Sequence, residues 1–204
     1  ICSDTVYEDI ESVQFIGRSL DYDDLLALVP EPPMSGTDSA DILHSTSQAE
    51  EILALGGDDT VTPGHGDTID AGSGTDLLDL ADLRDVAGRP AQTPLISVDL
   101  AAGTAIGHDT LMVFEALNFE AVRGTVFDDS LSGTEAGDAL AGNGGQDTLN
   151  GRGGDDTLLG GAARDLIIGG AGDDSIISYG QADEVLGKLG NDTINGKNGN
   201  DYLY

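Results

Sequence analysis

The chain has 204 residues, of which 8 are Lys or Arg and 38 are Asp or Glu, giving a formal net charge of −30; 4% are aromatic and none is Trp. So acidic a chain cannot neutralise a run of phosphates, which excludes nucleic acid as a partner and makes cations the natural one. It holds no run of about 18 apolar residues for a membrane-spanning helix, and the lone Cys2 leaves no intrachain disulfide to form.

Residues 1–35 open on "DTVYEDIESVQFIG" (Asp4 to Gly17), which matches "DTLMVFEALNFEAVRG" (Asp109 to Gly124), with Glu11 on Glu120 and Val13 on Val122. This first stretch is expected to be the tail of an upstream connector, within a chain that starts at Ile1 with neither Met nor a basic and apolar leader. "PEPP" (Pro30 to Pro33) marks a bend, because each Pro removes a backbone donor. From 36 to 79 a nine-residue beat sets in. Its sixth places are Asp41, Glu50, Asp59, Asp67 and Asp76, its eighth places are Leu43, Ile52, Val61, Ile69 and Leu78, and the unit starting at Pro63 is one residue short.

Residues 80–123 lose the beat but keep strand character. "LISVDL" (Leu95 to Leu100) alternates apolar and polar residues, and Asp109 to Val122 holds the most apolar run. An irregular β connector continuing the same coil is predicted there. The last stretch, 124–204, divides without remainder into nine nonapeptides. Each has Asp sixth (Asp129, Asp138, Asp147, Asp156, Asp165, Asp174, Asp183, Asp192 and Asp201) and an aliphatic residue eighth (Leu131, Leu140, Leu149, Leu158, Ile167, Ile176, Val185, Ile194 and Leu203). A sustained period of this length is the signature of a solenoid.

Within a unit the first five places are rich in Gly, Asn and Ala and read as turn; the last four read as strand. A strand's period of two sends the sixth and eighth side chains one way and the seventh the other. Two units close one turn of the coil, so unit n stacks on unit n+2 at about 4.8 Å. The second-block aspartates then form two columns, Asp129, Asp147, Asp165, Asp183 and Asp201 on one side and Asp138, Asp156, Asp174 and Asp192 on the other. Like charges at that spacing cost about 1 kcal/mol per pair even in water. A hard divalent cation between successive carboxylates removes the cost, and glycine-rich turns offer the further oxygens that calcium prefers and magnesium does not need. These turns contain no Cys or His, which argues against zinc and copper.

"GRGGDDTLL", "GGAGDDSII" and "GKLGNDTIN" resemble the repeat of the RTX (repeats-in-toxin) family, the hemolysin-type calcium-binding repeats. The resemblance implies an all-β fold, a parallel β-roll or right-handed β-solenoid with two nonapeptides per turn. It also implies calcium between turns n and n+2, held by carbonyls of places two and four with the Asp of one turn, and by carbonyls of places one and three with the Asp of the next. Carried over, this gives Arg152, Gly154 and Asp156 with Gly169, Ala171 and Asp174, then Gly170, Gly172 and Asp174 with Gly187, Leu189 and Asp192. The same rule adds Asn143, Gly145 and Asp147 with Gly160, Ala162 and Asp165, together with Gly151, Gly153 and Gly161. In the first block it points to Asp41, Asp59, Asp67 and Asp76. Same-column pairs number seven in the second block and three in the first, so seven plus three gives up to about ten calcium ions.

A Cβ at the fourth place strains a turn, so Phe127, Ala163 and Gln181 weaken the sites of Asp129, Asp165 and Asp183, and Glu50 weakens that of Asp67. Calcium is expected to bind most surely between Asp156, Asp174 and Asp192. The resemblance further implies a non-catalytic module of a secreted or cell-surface protein, exported unfolded by type I secretion and folded by external calcium. Two other readings stand beside it, a unit of a calcium-dependent surface layer, adhesin or filament, and the C-terminal part of a secreted protease, lipase or polysaccharide-modifying enzyme. No nucleophile, base or phosphate-loop pattern is present to make the chain itself an enzyme. Both ends are expected to touch flanking domains or neighbouring chains, since solenoid ends need capping.

Overall fold

The computed structural model describes residues 13–15, 18–20, 33–45, 49–64, 66–81, 95–107 and 113–204. They fall in two compact units, Ile1–Pro32 and Pro33–Tyr204. In the first, β1 (Val13–Phe15) and β2 (Arg18–Leu20) pair antiparallel with Val13 opposite Leu20. Most of the Asp4 to Gly17 match, including Glu11, and the bend at Pro30 to Pro32 lie outside the described residues.

The second unit is built of short strands, with no helix among the described residues. The first block gives β3 (Met34–Ser35), β4 (Ile42–His44), β5 (Glu51–Leu53), β6 (Thr60–Thr62), β7 (Thr68–Asp70) and β8 (Leu77–Asp79). The connector gives β9 (Leu95–Asp99), β10 (Thr104–Gly107), β11 (Val113–Leu117) and β12 (Ala121–Arg123). The second block gives β13 (Asp128–Ser132), β14 (Ala139–Asn143), β15 (Thr148–Gly153), β16 (Thr157–Gly161), β17 (Leu166–Ala171), β18 (Ser175–Tyr179), β19 (Glu184–Leu189), β20 (Thr193–Asn195) and β21 (Tyr202–Leu203).

Within each block successive strands alternate between two sheets and pair in parallel with the strand two along, which makes a β-solenoid of the parallel β-roll kind. The larger sheet has eleven strands in the order β21-β19-β17-β15-β13-β9-β10-β11-β7-β5-β3, and the smaller has eight, β20-β18-β16-β14-β12-β8-β6-β4. The register follows the sequence period. Leu131 lies opposite Leu149, Leu149 opposite Ile167 and Ile167 opposite Val185, while Leu140, Leu158, Ile176 and Ile194 form the matching row on the other sheet. The short unit at Pro63 is absorbed without slipping that row, since Ile52 still meets Ile69 and Val61 still meets Leu78.

The connector enters both sheets unequally. On the larger sheet β9, β10 and β11 form an antiparallel meander whose outer strands join the blocks in parallel, β11 to β7 through Ala116 and Ile69, and β9 to β13 through Val98 and Leu131. On the smaller sheet β12 alone spans the gap, with Val122 opposite Leu78 on one side and Leu140 on the other.

Strand alternation sets what is buried. In β13 and β16 every second residue points inward, so the eighth-place aliphatic and the sixth-place Asp share one face. From Leu131 to Val185 the eighth-place residues are at most 1% exposed. Each contributes about 2 kcal/mol through burial. The aspartates lie where this narrow apolar core meets the turns.

Candidate metal centre

The sixth-place acids form two hydrogen-bonded ladders, one along each edge of the roll where a turn enters a sheet. On the smaller-sheet edge the backbone N–H of Asp41 donates to Oδ1 of Asp59 (2.8 Å), that of Asp59 to Asp76 (2.8 Å), Asp138 to Asp156 (2.8 Å), Asp156 to Asp174 (2.9 Å) and Asp174 to Asp192 (3.1 Å). On the larger-sheet edge Glu50 donates to Asp67 (2.9 Å), Asp129 to Asp147 (2.8 Å), Asp147 to Asp165 (2.9 Å), Asp165 to Asp183 (2.9 Å) and Asp183 to Asp201 (3.1 Å). The structure thus brings the predicted carboxylates together in the predicted columns.

Each of these bonds satisfies Oδ1 of the accepting acid, while Asp138 Oδ1 is left without a partner; Oδ2 divides the rungs into two kinds. Oδ2 of Asp59, Asp76, Asp147, Asp156, Asp165, Asp174 and Asp183 has no hydrogen-bond partner, although each of these residues is at most 2% exposed. An unpaired buried charge is among the costliest arrangements a protein can hold. The turns preceding them share one backbone signature, a positive φ at the second place, the fourth place or both. It is met by Gly72 (+93°) and Gly74 (+157°), Asn143 (+70°) and Gly145 (+97°), Arg152 (+75°) and Gly154 (+90°), and Gly170 (+125°) and Gly172 (+138°).

The first-place glycine completes the cradle. A methyl group built on Gly151 would collide with Asp156 Oδ2 and sit 2.6 Å from the Gly169 carbonyl oxygen; on Gly160 it would sit 2.6 Å from Asp165 Oδ2 and 2.8 Å from the Ser178 carbonyl oxygen. Carboxylate and carbonyl oxygens therefore converge on one spot with no donor between them, and only a cation satisfies two acceptors at once. All-oxygen donors in a loop of small residues fit a hard divalent ion of the calcium type. Among the described residues no compact group of three or more His, Cys, Asp or Glu side chains forms. The donor set at each rung is instead two acids and backbone oxygens.

The second kind of rung is closed by the protein itself. Three turns begin Gly-Thr, and in each the Thr N–H and hydroxyl both bond Oδ2 of the sixth-place Asp. Thr37 meets Asp41 (2.6 and 2.9 Å), Thr125 meets Asp129 (2.6 and 3.1 Å) and Thr134 meets Asp138 (2.6 and 2.9 Å). None of these turns has a positive φ. In the two that open the second block, the first-place carbonyl is also taken, by Asn143 Nδ2 on Gly124 O (2.8 Å) and by the Arg152 guanidinium on Gly133 O (2.7 Å). In the short unit Gly64 N–H closes Asp67 Oδ2 (2.6 Å). Thr125, Thr134 and the Arg152 side chain were not singled out by sequence, although a Gly-Thr pair at the head of a unit was the visible signal.

The fourth-place departures also differ from one another. Ala163 holds φ +80° like the glycines it replaces, while Phe127 and Gln181 have no positive φ.

Burial raises carboxyls in both kinds of rung. Burial pushes the Asp147 carboxyl up to about 8, and the charges of Asp165 and Asp129 add to the rise. Burial likewise pushes Asp156 and Asp165 up to about 7, with Asp174 and Asp183 respectively as the leading like-charged neighbours. Asp76, Asp129, Asp138 and Asp174 are also raised by burial, against which Arg152 works at Asp138.

A family model described as the RTX calcium-binding nonapeptide repeat (4 copies) matches residues 44–78, 123–158, 150–185, 159–194 and 179–204. Together these matches take in every acid of the two ladders except Asp41. No curated protein matches the chain.

Proposed function

We propose that this chain, which belongs to the family of RTX calcium-binding nonapeptide repeat proteins, serves as a non-catalytic β-roll module of a secreted or cell-surface protein, exported unfolded and folded by calcium outside the cell. The observation that carries the reading is the row of buried Asp Oδ2 atoms without donors, those of Asp147, Asp156, Asp165 and Asp174 each against a first-place glycine. The residues that would hold the ions are Asp147, Asp156, Asp165, Asp174 and Asp183 with their partners Asp192 and Asp201, and in the first block Asp59 and Asp76. Calcium bound there supplies positive charge between acceptors that otherwise repel.

The chain's own residues do the rest. The ladder N–H groups fix one oxygen of each carboxylate, the left-handed second and fourth places shape the turn, and the aliphatic row below excludes water. Ion binding and folding are then one event, because the cradle does not exist in the extended chain. Export before folding suits such a chain, since −30 of charge keeps it open wherever calcium is scarce.

Circular dichroism with and without a chelator tests the reading. The expected result is a disordered spectrum in chelator and cooperative gain of β-structure on adding calcium, with magnesium a poor substitute. Full β-structure in chelator would sink it.

A further inference from the structure

On the smaller-sheet edge the ladder crosses the connector on a residue the nine-residue beat does not reach. Asp76 N–H donates to Oε2 of Glu120 at 2.9 Å, a bond spanning 44 residues. It is the same kind of bond that joins rungs within the blocks, such as Asp156 to Asp174. Strand register enforces the match, because β12 pairs with β8 so that Ala121 meets Leu77 and Val122 meets Leu78, which aligns Glu120 with Asp76. We propose that Glu120 is a calcium ligand that completes, with Asp76, a cation site joining the first block to the connector.

Asp76 presents the open half of such a site. Its side chain is 0% exposed, Oδ1 accepts the Asp59 N–H, and Oδ2 has no donor. Its turn carries the left-handed pair Gly72 and Gly74, as the turn of Asp174 carries Gly170 and Gly172. The facing half differs from a nonapeptide. From the inward Ala116 to the inward Val122 is six residues, where Leu131 to Leu140 is nine, so this turn is three residues short. Glutamate's extra methylene supplies reach that the shortened turn lacks, which is a physical reason for Glu in a column otherwise built of Asp.

In the next interval along this edge the protein supplies partners of its own, although Asp138 Oδ1 is left without a donor. Thr134 occupies Asp138 Oδ2, and the Arg152 guanidinium sits on Gly133 O and, at 2.7 Å through both nitrogens, on Asp99. Asp76 keeps its Oδ2 open toward Glu120, which places the ion between those two, while Arg152 brings its own positive charge to the interval beyond. The inference rests on the calcium reading above but names a ligand outside every matched repeat, since residues 79–122 fall between the family matches.

Calcium stoichiometry by equilibrium dialysis or native mass spectrometry tests it on the whole chain, comparing the parent with Glu120→Gln. Gln keeps a carbonyl oxygen for the Asp76 N–H and removes the charge, so the fold signal in saturating calcium should stay while one ion is lost or weakened at least about tenfold. Glu120→Lys guards against a folding defect, because its ammonium places a fixed cation beside Asp76. It should bind one ion fewer and fold at lower calcium than Glu120→Gln. If the parent binds calcium and Glu120→Gln binds the same number with the same midpoint, the junction site is wrong and the module reading stands. If the parent binds none, both fall.

Discussion

At the scale of the residue, the second place of each unit decides how a turn meets its aspartate. A β-branched side chain is disfavoured at positive φ, so Thr37, Thr125 and Thr134 keep an ordinary backbone and turn their N–H groups onto the carboxylate. Gly, Asn and Arg at the same place go left-handed and leave the carboxylate oxygen without a donor. A Cβ in that conformation costs about 1 kcal/mol, which Arg152, Lys188 and Lys197 incur at positions where Gly would incur none. Two aspartates in one repeat pattern therefore do different work. Asp129 is satisfied by Thr125 and by the Ile96 N–H at 3.2 Å, whereas Asp174 carries an orphaned oxygen and takes part in bonds to two further rungs. Asp174→Ala should raise the calcium concentration at the folding midpoint by about tenfold or more, and Asp129→Ala by much less. Calcium titrations followed by circular dichroism compare the two, and equal shifts would count against the division of rungs.

At the scale of the element, the connector is held to both blocks by more than strand pairing. Arg152, at the start of the fourth nonapeptide, forms a forked ion pair with Asp99 in β9, and Arg123 in β12 pairs with Asp79 in β8. Replacing Arg152 removes three charge-assisted hydrogen bonds and uncovers Gly133 O. Arg152→Met, which keeps most of the aliphatic stem, should destabilise the calcium-bound roll by about 1 to 2 kcal/mol in urea unfolding, and an unchanged midpoint would show that the pair is only a surface contact. Sequence legibility varied by element in step with the period. From Gly124 onward the strands, inward residues and acid columns follow directly from the beat, because parallel stacking repeats one geometry. In the connector that logic stops. Nothing in "LISVDL" or in the run after Asp109 tells which strands turn back on themselves, so the meander of β9 to β11 opposite a lone β12 was not legible. Glu120 was hidden for the same reason, being an acid of the wrong length after a turn of the wrong length.

At the scale of the whole molecule, protons and calcium compete for the same oxygens. The buried acids hold protons more tightly in the metal-free roll than in the unfolded chain, with Asp147 near 8 and Asp156 and Asp165 near 7 against an ordinary value of 3.8. The folded state thus binds more protons, so metal-free stability is greatest below about pH 4 and is lost as pH rises through about 7 to 8. In chelator, acidifying from about pH 8 to about pH 5 should increase β-structure. Over the same range the calcium needed for half-folding should fall, because bound protons already relieve part of the repulsion that the ions would relieve. Circular dichroism against pH, with and without calcium, measures both trends, and a metal-free chain that gains structure on going alkaline would contradict the burial of these carboxyls.

The Arg152 guanidinium also changes what kind of lattice the second block is. A row of identical vacancies filled from solution must begin somewhere, and the first filling is the hardest because it orders a turn on both sides for a single ion. Here one position at the head of the row is filled by a charge that is covalently part of the chain, lies over Gly133 O and cannot be diluted or chelated away. The block resembles a crystal supplied with its own seed, and the first calcium ions to fold it load beside a charge that the chain itself provides.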